Sequence, residues 1–186
     1  RGAYLVTRAN FTACHQFNFL EKMDVLKYAL PGSTFLLNSP FGPDEAWAKM
    51  PRHIQNQLVE KKIKFFVVDA YKVAAATGMG QRINTVMQTC FFAISGVLPA
   101  AEAIAKIKAA VKKTYGAKGD KVVEMNFKAI DSSVEGMHEV VVPNEVTSLI
   151  TMMPPVTPDA PPFVQETIGK IIAGLGDEVK VSEMPD

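Results

Sequence analysis

The sequence predicts an α/β protein of three layers, with helices on both faces of a mainly parallel, open sheet, a helical second half and an extended C-terminal linker. Short apolar runs alternate with segments of helical periodicity, which is typical of βαβ units. The run 63–69 is apolar on both faces after Phe65, as expected of a central strand covered by helices. Five of the twelve prolines lie within residues 154–162, which favours an extended linker there.

The composition is that of a globular protein. The 186 residues correspond to one domain of about 150 residues plus a tail. Apolar residues make up 48% of the chain and charged residues 21%, which excludes intrinsic disorder. The net charge of +1 gives no electrostatic basis for binding nucleic acid or an anionic membrane, and no apolar run is long enough to span a bilayer. The chain starts at Arg1 without a signal segment, so we expect a fragment of a longer protein.

The first half of the chain supplies most of the predicted sheet. Strand-like runs cover residues 3–7, 33–38 and 63–70, and a weaker run follows at 139–142. Helical periodicity is predicted for residues 20–30, for a short segment that begins at Pro43, for residues 52–61 after Pro51, and for the alanine-rich residues 71–77.

The second half is predicted to be helical up to its linker. A helix after Pro99 pairs Glu102 with Lys106 and ends where Gly116–Gly119 breaks it. The next helix shows one apolar stripe at spacings of four and three, namely Val123, Phe127, Ile130, Val134 and Met137. We divide the chain into residues 1–147, the α/β domain, and residues 148–186, a proline-rich linker with a short helix at 163–173 that leads to the next domain.

No metal centre or hydrolytic motif is visible in the sequence. Cys14 and Cys90 stand alone in apolar stretches, where a buried free thiol is usual, and they agree with a reducing compartment. The three histidines are scattered without the spacing of metal ligands. No GxSxG, P-loop or cluster of carboxylates is present.

The glycines at 78 and 80 do not form a dinucleotide fingerprint. Ile83 stands where the third glycine belongs, and a helix rather than a strand precedes the motif. Gly78 is therefore interpreted as a helix C-cap. An anion bound at the start of the following helix remains an alternative.

The helix predicted at residues 81–95 is the most informative segment. Its apolar face consists of Ile83, Val86, Met87, Cys90, Phe91 and Ile94. A second face carries Gln81, Asn84, Gln88 and Ser95, with Phe92 beside them, and Arg82 is the only charge. Amide side chains form strong hydrogen bonds without placing a charge in a water-free environment. This face is therefore predicted to be covered by another domain, a subunit or a ligand. A structural interface and direct ligand contact both remain open.

Several strings resemble the gamma region of pyruvate:ferredoxin (flavodoxin) oxidoreductases, in the family's order and spacing over residues 4–146. They are YLV (4–6), FTACH (11–15), GSTFLLNS (32–39), GMGQRINTVMQT (78–89), GVLP (96–99), KTYG (113–116) and VVEMN (122–126). The resemblance implies that residues 1–147 are a gamma-type domain, which packs over the thiamine site and helps to hold coenzyme A.

The same resemblance implies the chemistry of the complete enzyme. Family members oxidatively decarboxylate pyruvate to acetyl-coenzyme A with thiamine diphosphate, Mg²⁺ and [4Fe-4S] clusters, and they pass electrons to ferredoxin or flavodoxin. They are cytoplasmic and commonly homodimeric. The thiamine-binding and cluster-binding segments are missing here, so we expect the isolated chain to be inactive and to bind none of these cofactors. The glycine-rich opening of the gamma region is missing too, and a first strand is expected to be missing with it.

The predicted site residues are Arg82, Asn84, Gln88 and Phe92, as contacts for coenzyme A or for a neighbouring domain. No catalytic or metal-binding residue is predicted. The rival hypothesis is a non-catalytic binding or subunit-assembly module of the same fold.

Overall fold

The computed structural model describes residues 6–184, which form a four-stranded sheet between two layers of helices. The strands are β1 (Ala9–Cys14), β2 (Ala29–Asn38), β3 (Lys64–Val68) and β4 (Met137–Val140), in the order β1-β2-β3-β4. The first three strands are parallel, and β4 pairs antiparallel with β3. The predicted α/β class with a mainly parallel sheet is confirmed.

Helices fill most of the remaining chain. They are α1 (Pro43–Lys49), α2 (Arg52–Glu60), α3 (Ala70–Ala76), α4 (Asn84–Ile94), α5 (Ala100–Tyr115), α6 (Asp120–Glu135) and α7 (Gly169–Ile172), the last preceded by a π-helical turn at Val164–Ile168. The helices predicted after Pro43, Pro51 and Pro99 are confirmed. Among the described residues, no helix is long and apolar enough to cross a membrane.

The sheet separates two hydrophobic cores, because successive side chains of a strand point to opposite faces. Phe35 and Leu37 of β2 pack into one core with the buried residues of α1 and α2. Leu36 points the other way, into a core built with α3, α4 and α6. This alternation gives the three predicted layers.

The structure corrects the prediction for the start of the chain. Of the strand predicted at 3–7, residues 3–5 lie outside the described range, Val6 and Thr7 are not in a strand, and β1 begins at Ala9. The helix predicted at 20–30 is wrong. A short 3₁₀ turn spans Phe17–Glu21, and the Asp24 carboxylate then accepts a hydrogen bond from the Leu26 amide, which turns the chain away from helical geometry.

Two further differences concern β2 and α6. The strand predicted from residue 33 begins at Ala29, and Gly32, with φ of +72°, accompanies a register shift against β1. The stripe predicted on α6 is partly wrong, since Val134 is exposed and Met137 belongs to β4. Val123 and Ile130 of the predicted stripe are buried, and the smaller Asn126, Ala129 and Ser133 complete the buried face of α6.

The residues after β4 lie against the domain over part of their length. The Arg52 amide donates to the Ile150 carbonyl at 2.8 Å, and the Met153 amide donates to the Glu21 carbonyl at 2.7 Å. Lys27 forms an ion pair with Glu178 at 3.4 Å. The division at residues 147 and 148 stays a prediction.

A candidate ligand groove between two helices

The loop before α4 is built by two glycines in left-handed conformation. Gly78 has φ of +79° and Gly80 has φ of +63°. The Met79 amide donates to the Ala74 carbonyl at 2.8 Å, so the end of α3 is capped as predicted for Gly78. A Cβ atom at Gly78 would lie 3.3 Å from Cε of Met125. The loop therefore packs closely against the first half of α6.

The predicted apolar face of α4 is buried at its centre and open at its edge. Val86, Met87 and Cys90 are buried in the core beneath the sheet. Phe91 is only half-buried and meets Phe11 of β1 edge-on at a centroid distance of 4.8 Å. Burial raises the pKa of the Cys90 thiol to about 12 and also raises that of Cys14, so both thiols are protonated at neutral pH.

The other side of α4 forms one wall of a groove of about 470 Å³. Thr85, Gln88 and Phe92, spaced by three and four residues, provide this wall. Helix α5 provides the facing wall, and Leu98 lies in the connection between the two helices. The groove is mainly apolar, with polar groups at Thr85, Gln88 and on α5 at Lys106 and Thr114. Its volume is within the range usual for small-molecule sites.

The structure brings two of the four predicted site residues into this groove. Gln88 and Phe92 line it, and Phe92 also contacts Phe91 edge-on at 4.9 Å. Asn84 and Arg82 lie outside its lining, and both are exposed, as is Gln88, so within this chain the predicted amide face is not covered. The Arg82 side chain donates to the Met79 carbonyl at 3.5 Å. The roles of all four remain predictions. Sequence reasoning missed Thr85, although its spacing to Gln88 and Phe92 is the signal that would have found it.

No group of three His, Cys, Asp or Glu side chains among the described residues is arranged to hold a metal ion. Cys14 and Cys90 lie in different cores, on opposite sides of the sheet. The described residues therefore offer no ligand set for an iron–sulfur cluster or a metal ion.

Sequence comparison establishes the family. A model described as pyruvate ferredoxin/flavodoxin oxidoreductase matches residues 1–136, and a model described as a domain of unknown function matches residues 150–186. The pyruvate-flavodoxin oxidoreductases of Trichormus variabilis and Rhodospirillum rubrum are 49% and 48% identical over 100% of this chain. The pyruvate:ferredoxin oxidoreductase of Moorella thermoacetica is 38% identical over 98% of it. The chain belongs to the pyruvate ferredoxin/flavodoxin oxidoreductase family.

The chain spans only 15% to 16% of the length of these relatives, so it corresponds to a fragment of such an enzyme. Among solved structures, a pyruvate oxidoreductase subunit from Thermotoga maritima matches 72% of this chain and 66% of its own, with a TM-score of 0.56 and 16% identity. At this identity the likeness concerns the fold, and it supports the α/β class.

Proposed function

We propose that the complete protein is a cytoplasmic pyruvate:ferredoxin or flavodoxin oxidoreductase, which converts pyruvate and coenzyme A to acetyl-coenzyme A and carbon dioxide. The relatives that match this chain over nearly its whole length carry the names of such enzymes and support the proposal. Thiamine diphosphate, Mg²⁺ and the [4Fe-4S] clusters are assigned to other parts of the polypeptide, and the active form is proposed to be a homodimer.

Within that enzyme, we assign this chain a binding role: it covers the thiamine site and holds part of coenzyme A against α4. The observation that supports this role is the groove, where Gln88 and Phe92 stand beside Thr85. The uncharged arm of coenzyme A carries two amide groups, for which the carboxamide of Gln88 and the hydroxyl of Thr85 are suitable partners. Arg82 and Asn84 are proposed to extend the contact beyond the end of the groove.

An assembly module is the second candidate, because an apolar groove also accepts a neighbouring domain. The half-buried Phe92 is compatible with coenzyme A and with a neighbouring domain, since aromatic side chains stabilise both kinds of contact. The two candidates differ in whether loss of a groove side chain changes the use of coenzyme A.

The test is the Gln88→Ala variant in the complete enzyme, with the KM for coenzyme A as the readout. Loss of a hydrogen bond to the ligand costs about 1 kcal/mol, which raises this KM about fivefold. The KM for pyruvate and the iron content should not change. Gln57→Ala, on the distant helix α2, is the matched control. If Gln88→Ala keeps the kinetics of the wild type but alters the assembly of subunits or domains, the result would support the assembly module instead.

A further inference from the structure

The carboxyl ends of β2 and β3 lie where the chain leaves the sheet in two opposite directions. After β2 the chain continues into α1, which packs on one face of the sheet. After β3 it continues into α3, which packs on the other face. In an open α/β sheet, neighbouring strands with such opposite connections leave a crevice beyond their carboxyl ends, and ligands bind there in many proteins. The topology therefore indicates a place for a ligand that is separate from the groove between α4 and α5.

A cavity of about 380 Å³ lies in this crevice. Residues 40–43, which follow β2, form one wall, and Val73 and Ala76 of α3 form another. Helix α6 packs tightly against α3 here, since a Cβ atom at Gly136 would lie 3.3 Å from Cγ2 of Val73. The walls are mainly apolar, and the volume is within the range usual for small-molecule sites. Among the described residues, this cavity and the groove share no lining residue.

Three titratable side chains line the same cavity, namely Asp69, Lys72 and His138. Oδ1 of Asp69 accepts a hydrogen bond from the Lys72 amide at 2.9 Å and so caps α3. This cap does not require a charge, because asparagine caps helices as well as aspartate does. Within residues 6–184, none of the three side chains forms an ion pair with another residue. A carboxylate and an ammonium group therefore remain available to a ligand in one cavity.

We propose that this crevice binds a small zwitterion with an apolar side chain, which is the chemistry of an apolar α-amino acid. The ammonium group of the ligand pairs with Asp69, and its carboxylate pairs with Lys72, with His138 as a further hydrogen-bond donor. The apolar side chain of the ligand packs between residues 40–43 and Val73. A ligand with a single charge would leave the opposite charge of the cavity unpaired, whereas a zwitterion satisfies both. The inference does not depend on the proposed binding of coenzyme A.

The experiment measures the binding of radiolabelled L-leucine and L-phenylalanine to the complete enzyme by equilibrium dialysis. Asp69→Asn keeps the helix cap but removes the charge, and Lys72→Gln removes the opposite charge. Each should raise the dissociation constant about tenfold, because each removes one charged partner of the ligand. Glu124→Gln and Lys128→Gln are the controls, since they remove the same charges from exposed positions on α6 and should leave the constant unchanged.

A second pair of variants tests the apolar part of the cavity without changing a charge. Ala76→Met places a longer side chain in the cavity and should weaken binding at least about tenfold. Ala75→Met is the matched control, because Ala75 is exposed on the same helix and does not line the cavity. Two analogues of leucine, 3-methylbutylamine and 4-methylpentanoate, each lack one of its charged groups. Both should compete with leucine only weakly.

The inference is overturned if neither amino acid binds at millimolar concentration, or if Ala76→Met leaves their binding unchanged. Competition by either analogue as strong as that by unlabelled leucine would mean that the site does not select a zwitterion. If Ala76→Met impairs assembly of the enzyme, a neighbouring domain rather than an amino acid occupies the crevice. The KM for coenzyme A should stay the same in all these variants, so failure of this inference leaves the proposed function of the groove intact.

Discussion

The side chain of Asn38 connects three elements of the fold. Asn38 is 4% exposed, donates to the His15 carbonyl at 3.0 Å and accepts from the Ala70 amide at 3.0 Å. It thereby joins the ends of β1 and β2 to the start of α3. Its position at the end of an apolar run is visible in the sequence, but its two partners are not, because they lie 23 and 32 residues away.

At the residue scale, two phenylalanines should differ sharply in their contribution to stability. Phe35 is fully buried and stacks on Phe65 at 5.5 Å, whereas Phe91 is half-buried and meets Phe11 edge-on. Phe35→Ala should reduce the free energy of unfolding by about 3–5 kcal/mol, the usual cost of a large cavity. Phe91→Ala should cost about half as much, because water already reaches part of its ring.

Hydrogen exchange of the β2 and β3 amides measures this difference in the complete protein, where a global melting curve would mix several domains. Equal acceleration of exchange in the two variants would mean that Phe91 is packed as the sequence pattern alone predicts.

Among the elements, α2 binds the start of the segment after β4 through the buried side-chain amide of Gln55. Gln55 is fully buried, and its Nε2 donates to the Trp47 carbonyl at 2.7 Å. Its Oε1 accepts from the amides of Thr147 and Ser148 at 3.0 and 2.9 Å. A single side chain of α2 therefore fixes α1 and the segment 147–148, which is where the sequence predicts a linker to begin.

Replacing Gln55 should release that segment without unfolding the sheet. Gln55→Ala leaves the amides of Thr147 and Ser148 without their acceptor, at a cost of about 1–3 kcal/mol. We expect residues 147–153 to exchange hydrogen faster and to be cut sooner by a protease, while the strands keep their protection. Gln57→Ala on the same helix is the control, because Gln57 bonds to Asp24 and Lys61 and not to this segment. Unchanged protection of residues 147–153 in Gln55→Ala would refute this role of Gln55.

Local patterns predicted most elements and failed where distant contacts decide. The run that is apolar on both faces correctly located β3. Proline and glycine residues at the helix ends correctly located α1, α2 and α5. The prediction of a helix at residues 20–30 is wrong because Leu20 and Leu26 are both buried although the chain between them is irregular. The spacing of apolar residues does not distinguish a helix from such an irregular segment. The amide and aromatic face of α4 was predicted, but α5 as its partner was not, so Thr85 and the facing wall escaped notice.

At the scale of the whole molecule, the chain is nearly neutral while its charge is unevenly placed. The formal charge of +1 excludes an overall attraction to polyanions, yet residues 103–119 of α5 and the turn after it carry five lysines and no acidic residue. A net charge therefore says little about a local site.

The most direct measurement is hydrogen exchange of the complete enzyme with and without coenzyme A. The account predicts slower exchange on ligand binding in α4 and in the last two turns of α5, and no change in α2 or at Gln55. Protection that is confined to segments outside residues 78–118 would contradict the assignment of the groove as the coenzyme A site.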